Sequence, residues 1–578
     1  MWWTKTKAEA AKRTPQNSGT FNDWQERWAT SRMTLTLQYL QVTRRATGLR
    51  QALRRAGAAL CLAALGLAGG CALPPLEGRT PTQALVPDDQ TALGQTVEPL
   101  LQVHPGQTGV VPLSDGMDAF AARVQLANAA EKSLDLQYYI WHMDLTGTLM
   151  MHAVLRAADR GVRVRLLLDD NNTRDMDGVL ALMAAHPHIE VRLYNPFVQR
   201  NARWLGFMTD FSRLNRRMHN KSFTADGWLS IVGGRNVGDE YFAAAREANF
   251  LDLDVLLAGA VVPQIGREFD RYWDSASAYP AVWLPPPGNL HELPVVDHQA
   301  AAQYLDALEQ DSAVTSLMAG QLQPEWVQAR LVSDDPEKTT GAAQPGPPLA
   351  ERMKAAMGVP QRELYWVSPY FVPSPEGAAV LQKLARAGVD TRVLTNSLLA
   401  SDVSVVHAGY MKYRHDLLQS GVRLFELKPD PLARQRATAP TDGGRADNGR
   451  RAGDAAAGRK VVGSGASRAS LHAKTNEVDR QRLYVGSFNF DPRSIDINTE
   501  MGIVIDSPQL ATQMARTFER VSAVAYEVKL DEQGGLIWVD PVKDPQGQPQ
   551  MLATEPGTTW LQRLMLQLLS WLPIEGML

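Results

Sequence analysis

The sequence predicts an α/β protein of two similar sandwich domains, related by a pseudo-twofold axis and sharing one active site. Three observations lead there. Past residue 95, β-rich runs alternate with stretches of helical periodicity, the pattern of α/β architecture. That alternation occurs twice. A short polar motif also recurs in both copies, each of its residues 253 positions after its counterpart.

Taken in order, the chain opens with a leader. Its 578 residues hold 59 Lys+Arg and 62 Asp+Glu, a net charge of −3. The average conceals a contrast: residues 1–70 carry 11 basic and 3 acidic residues, whereas 71–578 carry 48 and 59. Arg44, Arg45, Arg50, Arg54 and Arg55 precede a small, apolar run from Ala56 to Gly70, ending at Cys71. A basic region, a short apolar run and small residues before a cut describe a secretory signal peptide. The run is shorter than the ~20 residues a membrane span needs. Small residues directly before Cys71 resemble a bacterial lipobox, in which that cysteine is lipidated, although Leu67 sits one place early. An ordinary signal peptide with a chance cysteine is the alternative, and Met33 competes with Met1 as the start. The expected location is the bacterial cell envelope, membrane-anchored by a lipid on Cys71 and facing the periplasm or exterior. With only two cysteines, Cys61 and Cys71, a disulfide scaffold is excluded, and 44% hydrophobic residues exclude a disordered chain.

Residues 71–97 read as a polar tether. The first domain, 98–285, carries the strands Ser133–Ile140, Val162–Leu168 and Ile189–Tyr194. A Pro-rich linker, 286–322, leads to the second domain, 323–545. There Glu363–Phe371, Val389–Leu394 and Gly421–Phe425 repeat the pattern. Gly161 and Gly388 stand where a helix must end in the left-handed conformation. Residues 430–469, rich in Ala, Gly, Arg and Asp, cannot bury enough apolar surface to order themselves and read as a disordered insertion. The last segment, 546–578, has helical apolar spacing from Trp560 to Trp571. It fits either a membrane surface or docking on its own domain.

The chemistry sits in the repeated motif. His219, Lys221, Asp226, Gly233 and Asn236 recur as His472, Lys474, Asp479, Gly486 and Asn489. Two positions apart on a strand, His and Lys share a face. Asp226-Gly227 is a hairpin signal that would bring Asn236 back to the same end. Two such units across a pseudo-twofold give two imidazoles, two ammoniums and two amides in one site. That inventory suits phosphodiester transfer. One imidazole attacks phosphorus, the other moves the alcohol proton, and Lys and Asn stabilise the charged oxygens. Each imidazole then needs a carboxylate on its other nitrogen; Asp252 and Glu500 are the candidates, with surface charge at a strand end as the alternative. Asp226 and Asp479 lie further from the imidazole face and suit turn bracing or pairing with a lysine. Metal binding is the competing use of two histidines, but the lysines repel a cation and leave a poor ligand set. No cofactor is expected.

These motifs resemble those of the phospholipase D superfamily, over about residues 98–545. The flanking stretches Leu136–His142, Asp210–Phe223, Ile231–Phe242 and Val406–Arg414 are similar to one bacterial branch, the cardiolipin synthases that carry two such motifs, and in particular to their C-type subgroup. The resemblance implies two phospholipase D-like domains with a shared site and no metal. It implies transfer of a phosphatidyl group from phosphatidylethanolamine to phosphatidylglycerol through a phosphohistidine. It also implies His219 as nucleophile and His472 as acid/base. His407, Tyr410, Tyr413 and Arg414, at helical spacing, are weak candidates for the headgroup site, and core packing explains them equally well.

The expected partners are membrane phospholipids and the membrane surface. A nucleic-acid substrate is not expected, because nucleic-acid binding draws on a positive field that 71–578 lacks. Residues 200–217 interleave five arginines with Trp204, Phe207, Met208 and Phe211. They suit a headgroup–acyl boundary or an ordinary helix packing inward. The rivals to the transferase are a phospholipase D-type hydrolase, an exported nuclease and a non-catalytic lipid-binding scaffold.

Overall fold

The computed structural model describes residues 73–571 apart from 246–247, 285–292, 297, 310–311, 343–345, 402, 430–467 and 544–546. The segment read as a signal peptide, Cys71 and nearly all of residues 430–469 therefore lie outside the described residues.

The first half contributes β1 (Thr108–Leu113), β2 (Ser133–Ile140), β3 (Arg163–Asn172), β4 (Ile189–Tyr194), β5 (Ser222–Ala225), β6 (Leu229–Gly233), β7 (Ala248–Leu251), β8 (Asp254–Gly259) and β9 (Ala278–Pro280). The second contributes β10 (Glu325–Ser333), β11 (Glu363–Val367), β12 (Asp390–Asn396), β13 (Arg423–Leu427), β14 (Arg468–Leu471), β15 (Thr475–Val478), β16 (Arg482–Gly486), β17 (Met501–Asp506) and β18 (Tyr526–Leu530). In space the first half runs β1-β8-β6-β5-β2-β3-β4-β9. The second runs β10-β17-β16-β15-β11-β12-β13-β18, the same order position by position, and continues past β18 into two further antiparallel strands, Leu536–Lys543 and Pro549–Leu552. In each half three adjacent strands, β2-β3-β4 and β11-β12-β13, are parallel and the remaining pairings are antiparallel. β1 pairs antiparallel with β10, so one sheet runs through both halves.

Local chemistry explains the repeat. Asp144 caps the helix Leu145–Asp159 by accepting the Gly147 N–H at 3.0 Å. Gly161 and Gly388 end the helices before β3 and β12 at φ +95° and +88°, conformations that suit glycine. Asp226 and Gly227 turn β5 into β6 with both φ positive, and Asp479 and Arg480 do the same between β15 and β16. Val232, Val255 and Leu257 pack against Val485, Ile503 and Ile505 in one core shared by the halves.

Three segments differ from expectation. Residues 79–84, read as tether, are built into the first half: Arg79 donates to the Ser275 and Ala278 carbonyls, while the Thr80 and Thr82 carbonyls accept from Arg192 and Arg165. The buried arginines need acceptors, and an extended strip of backbone supplies them. The linker contains the helices His298–Glu309 and Ala313–Met318; Tyr304 fixes the first by donating to the Phe242 carbonyl at 2.9 Å. In 200–217, Arg203 and Arg217 are buried and Arg200 pairs with Asp170 and Asp177. Those arginines are spent on internal structure. No helix among the described residues is long and apolar enough to cross a membrane.

Candidate active site

Each motif histidine is tied to the opposite half by backbone before its side chain is considered. The His219 N–H donates to the Thr499 carbonyl at 2.9 Å. The His472 N–H donates to the Leu251 carbonyl at 2.8 Å, where β7 and β14 run parallel as a two-stranded clasp between the halves. These bonds bring each imidazole beside the other half's carboxylate. His219 Nδ1 lies 2.8 Å from Glu500 Oε2, and His472 Nδ1 lies 2.5 Å from Asp252 Oδ2. Asp252 and Glu500 occupy equivalent places, each two residues before the strand residue that faces the motif glycine (Gly233 opposite Asp254, Gly486 opposite Gly502).

Lys221 and Lys474 follow on the same face, each ammonium donating to the carbonyl of its own motif histidine. Lys474 Nζ also lies 2.8 Å from His472 Nδ1. Aromatic rings wall the imidazoles. Tyr139 meets His219 edge-on at 4.9 Å; Tyr241 meets His472 edge-on, and Phe250 stacks on it at 4.9 Å.

Both histidines are 8% exposed. Burial, reinforced by the lysines, pulls each imidazole down to about 4 against the opposing pull of its carboxylate. Each motif's lysine also acts on the other motif's histidine, as one shared site requires. Burial brings the Lys221 ammonium down to about 7. Burial alone would raise Asp252 and Glu500, but the adjacent imidazoles and lysines hold both below the usual carboxylate range. Neutral imidazoles donating Nδ1–H to ionised carboxylates are the consistent state.

The remaining predicted residues sort differently. Asn236 is fully buried, accepting from the Ile140 N–H and donating to the Tyr241 hydroxyl, both at 3.1 Å. Asn489 is buried, and its Oδ1 has no partner among the described residues. Asp226 and Asp479 sit at the turns beyond β5 and β15 and brace them: Asp226 accepts the N–H groups of Glu131, Lys132 and Ser133, and Asp479 those of Gln361, Arg362 and Glu363. Saturated with backbone donors, both carboxylates serve the turns and not the imidazoles. His407, Tyr410 and Arg414 do not line the site either. They are buried in the second half, where His407 and Arg414 bind Glu555, while Tyr413 packs against Val372 and Val406. An ion cluster that fastens the C-terminal segment explains their helical spacing.

Sequence reasoning missed Ser487, whose hydroxyl donates to Glu500, and Ser494, which donates to the other Glu500 oxygen at 2.9 Å. In the first half the place of Ser487 is taken by Gly234. A Cβ there would stand 2.1 Å from Asp252 Oδ1. Gly234→Ala should therefore displace the carboxylate that holds His472, cutting turnover by about tenfold or more with a stability loss of about 1–3 kcal/mol. Activity and thermal melting measured together check this; a fully active Ala variant would contradict it.

The family model described as "Cardiolipin synthase, PLD-like domain" matches residues 124–273 and 353–522, one segment in each half. The chain is 46% identical over 494 residues to cardiolipin synthase C of Escherichia coli (strain K12), covering 84% of this chain and 99% of that protein. It is 23% identical over 423 residues to cardiolipin synthase A of Pseudomonas entomophila (strain L48), covering 73% of this chain and 70% of that protein. The crystal structure of phosphatidylserine synthase from Haemophilus influenzae Rd KW20 aligns with TM-score 0.48 at 12% identity, over 82% of this chain and 96% of that one. With both halves matched and a relative 46% identical along nearly its whole length, the chain belongs to the phospholipase D-like cardiolipin synthase family of phosphatidyltransferases.

Proposed function

We propose that the protein makes cardiolipin by moving a phosphatidyl group from phosphatidylethanolamine, or phosphatidylglycerol, to phosphatidylglycerol through a phosphohistidine on His219. The observation that carries this is the crossed pairing, His219 with Glu500 and His472 with Asp252. A carboxylate on Nδ1 fixes the tautomer and leaves the Nε2 lone pair for phosphorus or for a proton.

His219 Nε2 attacks phosphorus, and the bond to the headgroup oxygen breaks as His472 Nε2–H protonates it. The phosphatidylglycerol hydroxyl then gives its proton to His472 and attacks phosphorus, breaking the P–N bond and freeing His219. His472 is neutral in the empty site. The bound phosphodiester anion offsets the lysines that depress it, so it gains its working proton on binding. Lys221, Lys474 and the Asn489 amide would hold the non-bridging oxygens as charge builds. Purified protein given labelled phosphatidylethanolamine and phosphatidylglycerol should form labelled cardiolipin. Phosphatidic acid as the sole product would establish a hydrolase instead.

A pH profile follows from the same groups. His219 must be neutral and is so above about 4, whereas Lys221 must be charged and is so below about 7. Hence kcat/KM, which reports the free enzyme, should rise as His219 loses its proton near 4 and decline above it because His472 must take up a proton on binding. It should fall more steeply beyond about 7 as Lys221 loses its charge, while kcat should hold to higher pH because bound phosphate keeps the ammonium charged. A slope no steeper above 7 than below it would remove Lys221 from phosphate binding.

The anchoring belongs here too. Membrane association suits the family; we read residues 1–70 as a removed leader and a lipid on Cys71 as the tie to the cell envelope. Mass spectrometry of the mature N-terminus tests it, and an unmodified Cys71 would defeat it.

A further inference from the structure

We propose that the outward faces of two helices, Trp560–Ser570 and Arg203–Thr209 with the adjoining Phe211, form a bilayer-inserting rim on the site end of the molecule. Phospholipid would then reach the cleft from the membrane surface. The inference rests on the phosphatidyl-transfer reading and names the surface that serves it.

The C-terminal helix begins at a capping box made by Thr559 and Gln562. It docks by one side only: Leu566 is buried against Leu398 and Ala408, with Leu569 and Met411 beside it. The other side leaves Leu561, Leu564, Met565 and Leu568 about half exposed, and Trp560 and Trp571 at 69% and 72%. An apolar stripe bounded by two tryptophans is costly in water, and indole rings favour the headgroup boundary of a bilayer. The first half repeats the feature with unrelated sequence: Trp204 is 63% and Met208 76% exposed, next to Phe207 and Phe211. Contiguous exposed apolar surface of this kind marks an interaction site.

Position ties both faces to the chemistry. Arg203–Thr209 lies between the end of β4 and His219, and Asn195 at that strand end donates to the Arg213 and Arg216 carbonyls. In the second half the Asn396 side chain, at the end of β12, bonds both N–H and C=O of Leu471, the residue before His472. The chain then passes to the helix Ser404–Met411, on which Trp560–Ser570 packs. Both faces therefore sit at the strand ends that carry the histidines.

Charge favours a phospholipid surface over another protein. Residues 71–578 hold 59 acidic residues, yet neither helix contains one. The single charged residue of Trp560–Ser570, Arg563, donates to the Thr558 carbonyl at 2.7 Å. One carboxylate, Asp210, stands between Thr209 and Phe211 and pairs with Arg213 at 2.6 Å; a face so poor in acidic groups suits anionic lipid.

The test uses the full chain carrying Cys71→Ser, which cannot be lipidated there, and vesicles of phosphatidylethanolamine and phosphatidylglycerol. This parent should sediment with vesicles, and Trp560→Ser/Leu564→Ser/Leu568→Ser should bind them about tenfold or more weakly. Turnover of short-chain, dispersed lipid should stay at the parent's level, which also shows that the variant is folded. As a second readout, an environment-sensitive dye on Leu564→Cys (with Cys61→Ser) should shift blue on adding vesicles. The same dye on Glu532→Cys, in the turn after β18 at the opposite strand ends, should not. Equal vesicle binding by parent and triple variant, no shift at position 564, or burial of these faces in a dimer would overturn the rim. If vesicle binding behaves as expected but no lipid is transferred, the catalytic reading falls and the rim stands.

Discussion

His219→Ala and His472→Ala are each expected to lower cardiolipin formation by about 10⁴-fold or more, while the protein keeps its fold. The two losses have different causes. Without His219 there is no nitrogen to take the phosphatidyl group. Without His472 the headgroup must leave as an unprotonated alkoxide. Because the groups act as a unit, the double variant should be no worse than either single one. The imidazoles lie at the cleft and are only 8% exposed, so Ala leaves a polar gap that water can fill, and thermal melting should move little. Phosphorus-labelled lipid with quenching in neutral detergent, which spares the acid-labile P–N bond, separates the roles: labelled protein should form in the parent and be absent from His219→Ala. Label carried by His219→Ala, or full activity in either variant, would overturn the assignment.

The second large effect belongs to the carboxylates, and it should cross between the halves. Glu500→Gln should cost about 10³-fold in kcat through His219, and Asp252→Asn a similar factor through His472. Glu500 accepts from three donors: His219 Nδ1, Ser487 Oγ and Ser494 Oγ. An amide at that place has only one oxygen, so one donor must face an NH₂ group, and the His219 tautomer is no longer enforced. Nitrogen-15 NMR of the imidazoles reads this directly. Glu500→Gln should perturb the His219 ring and leave the His472 signals near their parent positions; Asp252→Asn should do the converse. Perturbation of the histidine in the same half would refute the crossed arrangement. Removing either carboxylate also removes the partner that raises its imidazole, so the histidine in question should become harder to protonate.

The repeat was legible because it is local. His219 to Asn236 and His472 to Asn489 are continuous segments whose strands and turn follow from alternation and from the Asp226-Gly227 pair. Gly161, Gly388 and Gly421 likewise announce the parallel strands β3, β12 and β13. The pairing of carboxylates was not legible. Asp252 and Glu500 were found as a pair of candidates, but the stretch from Asn236 to Asp252 is longer than that from Asn489 to Glu500. Nothing along the chain says that each turns to the other half. That longer stretch supplies Tyr241 and Phe250 to His472. The misplacement of His407, Tyr410 and Arg414 has a plain cause: helical spacing marks a face, and a buried ion cluster uses a face as readily as a ligand does. Residues 79–84 were misread because a Pro- and Thr-containing stretch looks the same whether it is solvated or pinned through its carbonyls by distant arginines.

The exchange of carboxylates also bears on ancestry. A catalytic set in which every histidine borrows its acidic partner from across a twofold is complete in a symmetric pair of identical single-length chains. Such a pair would have to accept every substitution twice, once in each role. Joining the copies end to end, with β1 paired to β10, removes that constraint. Here one copy has settled on glycine beside aspartate, at Gly234 and Asp252, and the other on serine beside glutamate, at Ser487 and Glu500. The two combinations differ in bulk, a short acid with no neighbouring side chain against a long acid with a hydroxyl to steady it. Under the proposed roles, joining the copies leaves one histidine free to bond to phosphorus and the other to carry protons.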